Sequence, residues 1–588
     1  LPGNVPMVAS TFDNMTSSRV GIAMRLDVLP ESLLVYVPYL PDVLTDIGVV
    51  DNDKIIPYDD MQNRLRREVL GLNASFSSNG MTGRVELVLR GSGSNLDELH
   101  NAIGWMNKAL YSPYLSEDNL PRMKDVIDQK LVSLRNRMKG SEENWVGDPA
   151  GAYRYQTNPL YLSAQSFLTQ IHHAQRLKWL LTDPGTKEDQ QALSEFLDDL
   201  KAFGKDRPRE KFTELFAVAD NPEATPSEEI KPVLTIFTSE YVSDDAKGTA
   251  RQILSTLKST LPDIPDANLT GDWAYLCDEI KADLMVKPDQ TIAGLKQTLD
   301  LIRHADNARM FMISSGADRD ATLDEIKQLA GKLGTTSSKH VEYADTYRIV
   351  KRSEEDKPVY AGLMNEGTRN GVLIFSAVHA GRYDTSRTAV LDALAGKLYG
   401  GSGAHGLFMK TWGAGLAYSN GFGYSDATGR VSYYAERCPD VAQTMGFVVG
   451  VLKNAEDDPY LKEYAIAQAF LASRAASKYE SRGEAMAADL ADGITPEVVR
   501  RYRQAILDVR DMDNLYETIK ERMPGVYGEV LIGYGPSLAD SKDATLFMIG
   551  PESQFESLQR YIETTEGKED IWRLYPRDFW LTRANGKS

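Results

Sequence analysis

Residues 308–333 read ARMFMISSGADRDATLDEIKQLAGKL, and residues 545–563 read TLFMIGPESQFESLQRYIE. In each, an apolar run carrying Phe-Met-Ile passes through a turn into an amphipathic helix, so the apolar spacing changes from strand-like to helix-like. A similar opening lies upstream of each: RVGIAMRLDVLPESLLVYVPYLPDVLTDIG over 19–48 and NGVLIFSAVHAGRYDTSRTAVLDALAGKLYGG over 370–401. The chain therefore reads as two copies of one α+β unit.

In the first copy, 19–28 alternates as a strand, and Pro30-Glu31-Ser32 opens a helix that runs to Ile47 and stops at Gly48. A second helix spans 58–70. Strand-like runs at 73–78 and 84–91 follow, with Asn79-Gly80 as the hairpin turn, and helices then return at 96–110 and 119–138. Such an order predicts a sheet covered on one face by helices. Residues 140–307 depart from the unit as a helical insertion, with helices at 165–181, 190–203, 246–261 and 292–304 and one strand-like run at 233–238. We read 1–335 as the first α+β domain, 336–358 as a charged linker and 359–588 as the second α+β domain.

The second copy begins with a strand at 371–378 and a helix at 385–398. Its Gly-rich string from Gly400 to Gly406 fits G-x-G-x-x-G but follows a helix rather than a strand, so a turn is the better reading than a dinucleotide site. The segments 415–424 and 430–436 form a hairpin, and helices occupy 460–479 and 496–509.

Composition excludes several classes. The 588 residues are 42% apolar and 26% charged, which suits a globular chain with more than one core. A net charge of -18, with no dominant Lys/Arg cluster, argues against nucleic acid as a partner. No apolar run is long enough to span a bilayer. Cys277 and Cys438 are the only cysteines, so neither a disulfide framework nor a Cys-type metal site is expected. The start at Leu1-Pro2-Gly3, without an initiator Met, suggests processing or truncation, and leaves an extracytoplasmic or organellar compartment open.

Two stretches carry a family resemblance. AMRLDVLPESLLVYVPYLPDVLTDIG, from Ala23, and GLAYSNGFGYSDATGRVSYYAERCPD, from Gly415, resemble the third-domain opening and the fourth-domain hairpin of the insulinase/pitrilysin-type zinc metallopeptidases. Their presequence-protease branch is the most similar. The resemblance covers nearly the whole chain and implies two repeated insulinase-type (metalloenzyme LuxS/peptidase-like) domains, forming the C-terminal half of a clam-shell that encloses a peptide-cutting chamber. The family's zinc motif, H-x-x-E-H with a downstream Glu, belongs to the other half. None of the seven histidines here stands in that frame. The implied role is the substrate-chamber half of a zinc metalloendopeptidase acting on unfolded peptides. It would bind no cofactor itself, be inactive alone, and need an H-x-x-E-H partner half that carries the zinc. The alternative is a non-catalytic structural or peptide-holding subunit.

The resemblance also implies a Tyr and an Arg from the hairpin region on the substrate backbone near the scissile bond. Tyr418 matches the tyrosine, and its phenol is a suitable donor to a developing oxyanion. The arginine does not match. Thr411 and Trp412 stand where it is expected, and Lys410 is the nearest cation. Either the turn is one residue longer and Lys410 substitutes, without the bidentate fork of Arg, or the contact is lost. Arg430 and Arg437 lie on the next strand, where alternation alone would put either on an outer face. Tyr424, Arg430 and His405 are the further substrate-binding candidates, and Tyr424, Tyr433 and Tyr434 could form an aromatic wall. His379 is a weaker candidate at a strand end.

Overall fold

The structure is a computed structural model that describes residues 1–221, 224–350, 357–401, 403–473, 478–538, 544–567 and 569–581. In chain order the strands are β1 (Met7–Thr11), β2 (Ser18–Arg25), β3 (Val49–Asp51), β4 (Lys54–Ile56), β5 (Gly71–Asn79), β6 (Arg84–Gly93), β7 (Ala308–Ser314), β8 (Tyr360–Met364), β9 (Gly371–Val378), β10 (Ser419–Ser425), β11 (Arg430–Cys438), β12 (Thr545–Gly550) and β13 (Trp572–Leu574). Apart from the small β3–β4 ribbon, they form two sheets, ordered β1-β7-β2-β6-β5 and β10-β11-β9-β12-β8-β13.

Read in opposite directions, the two sheets have one topology. β7 lies between β1 and β2, parallel to the first and antiparallel to the second, and β12 lies in the same way between β8 and β9. The antiparallel pairs β2–β6–β5 repeat as β9–β11–β10. Each quoted Phe-Met-Ile run is thus the late-arriving strand of its sheet, and each continues into a helix, Gly316–Gly331 or Glu552–Thr565. The chain is an α+β protein built from a repeated sheet-and-helix unit, with β13 as an extra edge in the second.

Alternation along the strands sorts the cores. Val20, Ile22 and Met24 of β2 join Leu87, Leu89, Met310 and Met312 under the helix Leu96–Tyr111, whose Leu99, Ile103 and Met106 complete that core. Each such side chain removed from water contributes about 1.5–3 kcal/mol. In the second sheet, Leu373, Phe375, Leu546 and Met548 face that unit's own helices.

The opposite faces are not left to solvent. Leu363, Val372, Phe547 and Ile549 of the second sheet pack against Trp145, Tyr153, Phe167 and Ile171, which belong to the long helical stretch of the first half. The second sheet is therefore buried on both faces, a correction to the one-sided covering expected from the order of elements. It explains why its central strands read as continuous apolar runs rather than as clean alternation. The helical stretch has its own core of Leu197, Phe212, Ile253 and Trp273, into which Trp580 from the far end of the chain is inserted.

Other local expectations need correction. The run at 233–238 lies in a helix, Lys231–Thr238, whose Val233 and Ile236 are buried three residues apart. β-branched content had suggested a strand there, and packing against the Lys187–Phe203 helix overrides it. The helix expected from Pro30 to Ile47 is a 3-10 turn, Glu31–Tyr39, followed by a short α-helix, Leu40–Thr45, because Pro38 and Pro41 each remove a backbone donor. The helix expected over 460–479 ends at Ala472, and a separate helix, Tyr479–Ala491, follows. Within 336–358 the chain is not a free tether: the N–H groups of Ile349 and Val350 both donate to the buried Gln156 side chain, at 2.8 and 3.0 Å. Residues 351–356 of that segment, which include Glu354 and Glu355, lie outside the described residues.

Candidate substrate-contact site

Strands β10 and β11 pair in register from Ser419↔Glu436 to Ser425↔Arg430, and β10 is the free edge of the second sheet. Before that edge, the Tyr418 N–H donates to the Glu436 carbonyl at 2.9 Å, which fixes the tyrosine backbone opposite the end of β11. There β11 bulges: its register against β9 shifts between Ala435 and Cys438, and Arg437 takes φ +49°, in the left-handed region that non-Gly residues rarely adopt. The bulge re-aims the arginine out of strand alternation. Its guanidinium lies over the Tyr418 ring, 4.8 Å from the centroid.

A residue from the other half of the chain holds it there. Arg437 Nε donates to Glu143 Oε1 at 2.6 Å, Nη2 bonds the same carboxylate, and Nη2 also reaches Ser141 Oγ at 3.2 Å. The Glu143 side chain is only 9% exposed. It sits on the Glu142–Asn144 turn, anchored by the Asn365 amide on Glu142 at 3.1 Å and by Trp145 and Val146 in the core behind the second sheet. Burial, and then the neighbouring Glu143 carboxylate, push the Glu436 carboxyl above its ordinary range. Tyr418 itself is 60% exposed, and among the described residues its hydroxyl makes no hydrogen bond. The arrangement offers a phenol donor at an open strand edge, beside a positioned guanidinium whose charge is balanced by Glu143.

The outward face of this edge is small and polar. Gly421 and Gly423 lie there, and a Cβ on Gly421 would meet the Tyr434 ring at 2.9 Å. Glycine is needed for that close approach.

The remaining candidates are dispersed. Tyr424 points the other way, into the core: it is 4% exposed and its hydroxyl donates to the Ala380 carbonyl at 2.8 Å, so a substrate contact there is corrected to a packing role. Tyr433 is wholly buried in the same core, which breaks the expected aromatic wall and leaves only Tyr434 outside. Arg430 is 8% exposed, with Nε donating to Ser376 Oγ at 2.8 Å and Nη1 near the Met81 sulfur, so it bridges the second sheet to the β5–β6 hairpin rather than to an open surface. Lys410 and His405 do come together. They line a cleft of about 450 Å³ with Tyr399, Asn454 and Asp458, a lining that does not include Tyr418. Residue 402 of the Gly-rich turn lies outside the described residues.

His379 is enclosed rather than exposed. Its Nδ1 lies 3.1 Å from Glu529, its Nε2 3.6 Å from Asp392, and its ring meets Tyr424 edge-on. Burial disfavours the imidazolium, but the neighbouring Asp392 and Glu529 carboxylates outweigh it and raise the pKa to about 9. Cys277 and Cys438 are both buried free thiols, and burial raises both, Cys438 to about 12, which disfavours the reactive thiolate. Among the described residues no group of three or more His, Cys, Asp or Glu side chains is placed to hold a metal ion, and no helix is long and apolar enough to cross a membrane.

No family model matches the chain, and no curated protein does. Solved structures align over 94% of it. One, described as a peptidase M16 inactive domain from Pseudomonas fluorescens, has TM-score 0.47 and 12% identity, with 96% of that chain covered. A protease from Helicobacter pylori has TM-score 0.48 and 11% identity, with 98% covered. A conserved protein from Enterococcus faecalis V583 has TM-score 0.44 and 12% identity, with 98% covered. Likenesses of this degree carry no argument.

Sequence reasoning missed Glu143 and set Arg437 aside. Strand alternation places every second residue on one face, and a bulge suspends that rule. The one local signal is the Cys438-Pro439 pair, since a proline ends a ladder.

Proposed function

We propose that this chain is the non-metal half of a zinc metalloendopeptidase and that Tyr418 is its contact with the peptide backbone near the scissile bond. The observation that carries the reading is the exposed Tyr418 phenol at the free edge of the second sheet, with Arg437 laid over its ring and braced from the first half by Glu143. In the family that the sequence resembles, an Arg and a Tyr from this hairpin serve the substrate. Here the arginine comes from the β11 bulge instead of the preceding helix, so Lys410 is not needed for the part. The zinc and the water-activating Glu would be supplied by an H-x-x-E-H-bearing half, and an unfolded peptide would lie between the two. The phenol would donate to the carbonyl oxygen as negative charge develops on it, an interaction that strengthens toward the transition state.

A specific observation favours a second reading, a peptide-holding subunit without a catalytic contact. Both Arg437 nitrogens on its accessible fork are engaged by Glu143 and Ser141, so the guanidinium has less to offer a substrate than an unpaired one. Tyr418→Phe in the assembled two-half enzyme separates the readings. Turnover reduced with little change in KM supports the catalytic contact, and unchanged kcat and KM support the holding role.

A further inference from the structure

Strand β5 ends the first sheet, and its one strand neighbour is β6. The ladder shows which backbone groups that neighbour leaves over. The Leu26 N–H donates to the Val85 carbonyl, so the odd-numbered residues of β6 turn their N–H and C=O groups to β2 and the even-numbered ones turn theirs to β5. Through the register Gly71↔Ser92 to Asn79↔Arg84, the odd-numbered residues of β5 take those bonds, and Leu72, Ala74, Phe76 and Ser78 direct theirs away from the sheet. Among the described residues, none donates to or accepts from the backbone of these four.

This edge is also unguarded. Its nine residues, GLNASFSSN, hold no charge and no proline, and none of the nine is buried. An edge of this length and composition is a template for another extended chain unless something blunts it. The corresponding edge of the second unit is blunted. At β10 the Lys397 ammonium donates to the Tyr424 carbonyl at 2.6 Å, and the Gly400 backbone comes so close to the Phe422 carbonyl that a Cβ there would lie 3.0 Å from it. The remaining outer strands are short, five residues in β1 and three in β13. The two sheets share one topology, so the exposed row of backbone groups at β5 is a difference between the copies rather than a property of the unit.

We infer that β5 is a strand-addition site that takes an extended stretch of unfolded polypeptide with apolar side chains at alternate positions. Backbone pairing selects conformation rather than sequence, and the uncharged edge adds no electrostatic preference, so the occupant is a peptide without fixed structure of its own. Nine residues offer about 30 Å of edge. Leu72, Ala74 and Phe76 are partly buried against the main core and give an incoming strand an apolar strip on that face, while Asn73, Ser75 and Ser77 give it a polar strip on the other. The inference does not rest on the Tyr418 contact: peptide binding by this chain alone tests it, whatever a peptidase assay shows.

The test uses the full chain and a labelled peptide that alternates valine and serine, with a lysine at each end. The native chain should bind it. At saturation, amide hydrogen exchange at Leu72, Ala74 and Phe76 should slow about tenfold or more, while Asn73, Ser75 and Ser77, already in the ladder, stay as they are. N-methylation of one alternate set of the peptide's amides should abolish binding and N-methylation of the other set should spare it, since only one set faces β5. Ala74→Pro removes an outward donor without taking a bond from the ladder with β6, and should weaken binding about tenfold or more. Absence of binding to the native chain, equal effects of the two N-methylated peptides, or slowed exchange elsewhere but not at β5 overturns the inference. So does protection of the same amides that appears without peptide as the protein is concentrated, which would make a second copy the occupant. If Ala74→Pro fails to fold, the two N-methylated peptides on the native chain decide the point by themselves.

Discussion

The guanidinium of Arg437 lies over the ring of Tyr418, 4.8 Å from its centroid, and Glu143 fixes it there from the opposite half of the chain. Tyr418, just before β10, and Arg437 of β11 are thus aligned by a residue 294 positions before the arginine in sequence. The contact links the bulge at one end of the second sheet to the first-half turn that packs behind it.

Loss of the phenol should leave the fold intact, because Tyr418 is exposed and its side chain supports no core. In the assembled enzyme, Tyr418→Phe is expected to lower kcat by about 10²-fold, the scale for one oxyanion donor, with the thermal midpoint unchanged. Glu143→Gln should act on the same parameter more weakly, by releasing the guanidinium rather than removing the donor. Steady-state kinetics beside thermal melts check both.

Tyr424→Phe should show the reverse pattern. Its hydroxyl is committed to the Ala380 carbonyl inside the core, so removing it costs about 1 kcal/mol of stability and leaves peptide turnover unaffected. Denaturant titration measures the first quantity and a peptide assay the second.

The fold was legible to the extent that it depends on local period and order. The repeated Phe-Met-Ile strands, the hairpins at 79–80 and 425–430 and helices such as Leu96–Tyr111 and Pro496–Arg510 follow from spacing alone, whereas Leu269–Leu284 and Val441–Lys453 were not read. What could not be read was the covering of both sheet faces, because it pairs residues such as Phe167 and Phe547 that share no local pattern. The site divides in the same way. Tyr418 became a candidate through the family resemblance alone, whereas the placement of Arg437 depends on a bulge and that of Glu143 on a contact between halves. Tyr424 and Arg430 were misjudged because hairpin position alone does not tell which face of a strand is inward. Alternation would have placed Tyr424 with Phe422 and Val431.

A pH dependence follows from His379. Its pKa rises from 6.5 to about 9 on folding, so the stabilisation from its carboxylate partners is full below about pH 6.5 and is lost as pH rises through about 9. Asp392, whose carboxyl the His379 and Arg522 partners hold below its ordinary value despite burial, shows the opposite dependence and loses its contribution only in acid. The native chain should therefore melt lower at about pH 9.5 than at about pH 6, by an amount that His379→Gln abolishes. The substitution itself should cost about 1–3 kcal/mol near neutrality, since it leaves Glu529 and Asp392 without the imidazolium.

The far end of the chain clasps the helical stretch of the first half. Arg577, 1% exposed, pairs with the fully buried Asp272, with Nη2 to Oδ1 at 2.5 Å, while Thr169 donates to the Phe579 carbonyl and Trp580 stacks on His172. Arg577→Ala removes the guanidinium that pairs with the buried Asp272 carboxylate and should cost about 3–5 kcal/mol. The double variant Arg577→Met/Asp272→Leu should recover much of that loss, because an apolar pair of similar volume carries no desolvation penalty. Chemical denaturation of the three proteins decides it.

The decisive measurement is hydrolysis of an unstructured peptide by this chain alone and by this chain mixed with an H-x-x-E-H-bearing half from the same source. Neither part alone should cleave the peptide, and the mixture should cleave it in a chelator-sensitive way. Cleavage by this chain alone, or a stable complex that cleaves nothing while its zinc site is loaded, would contradict the proposed role.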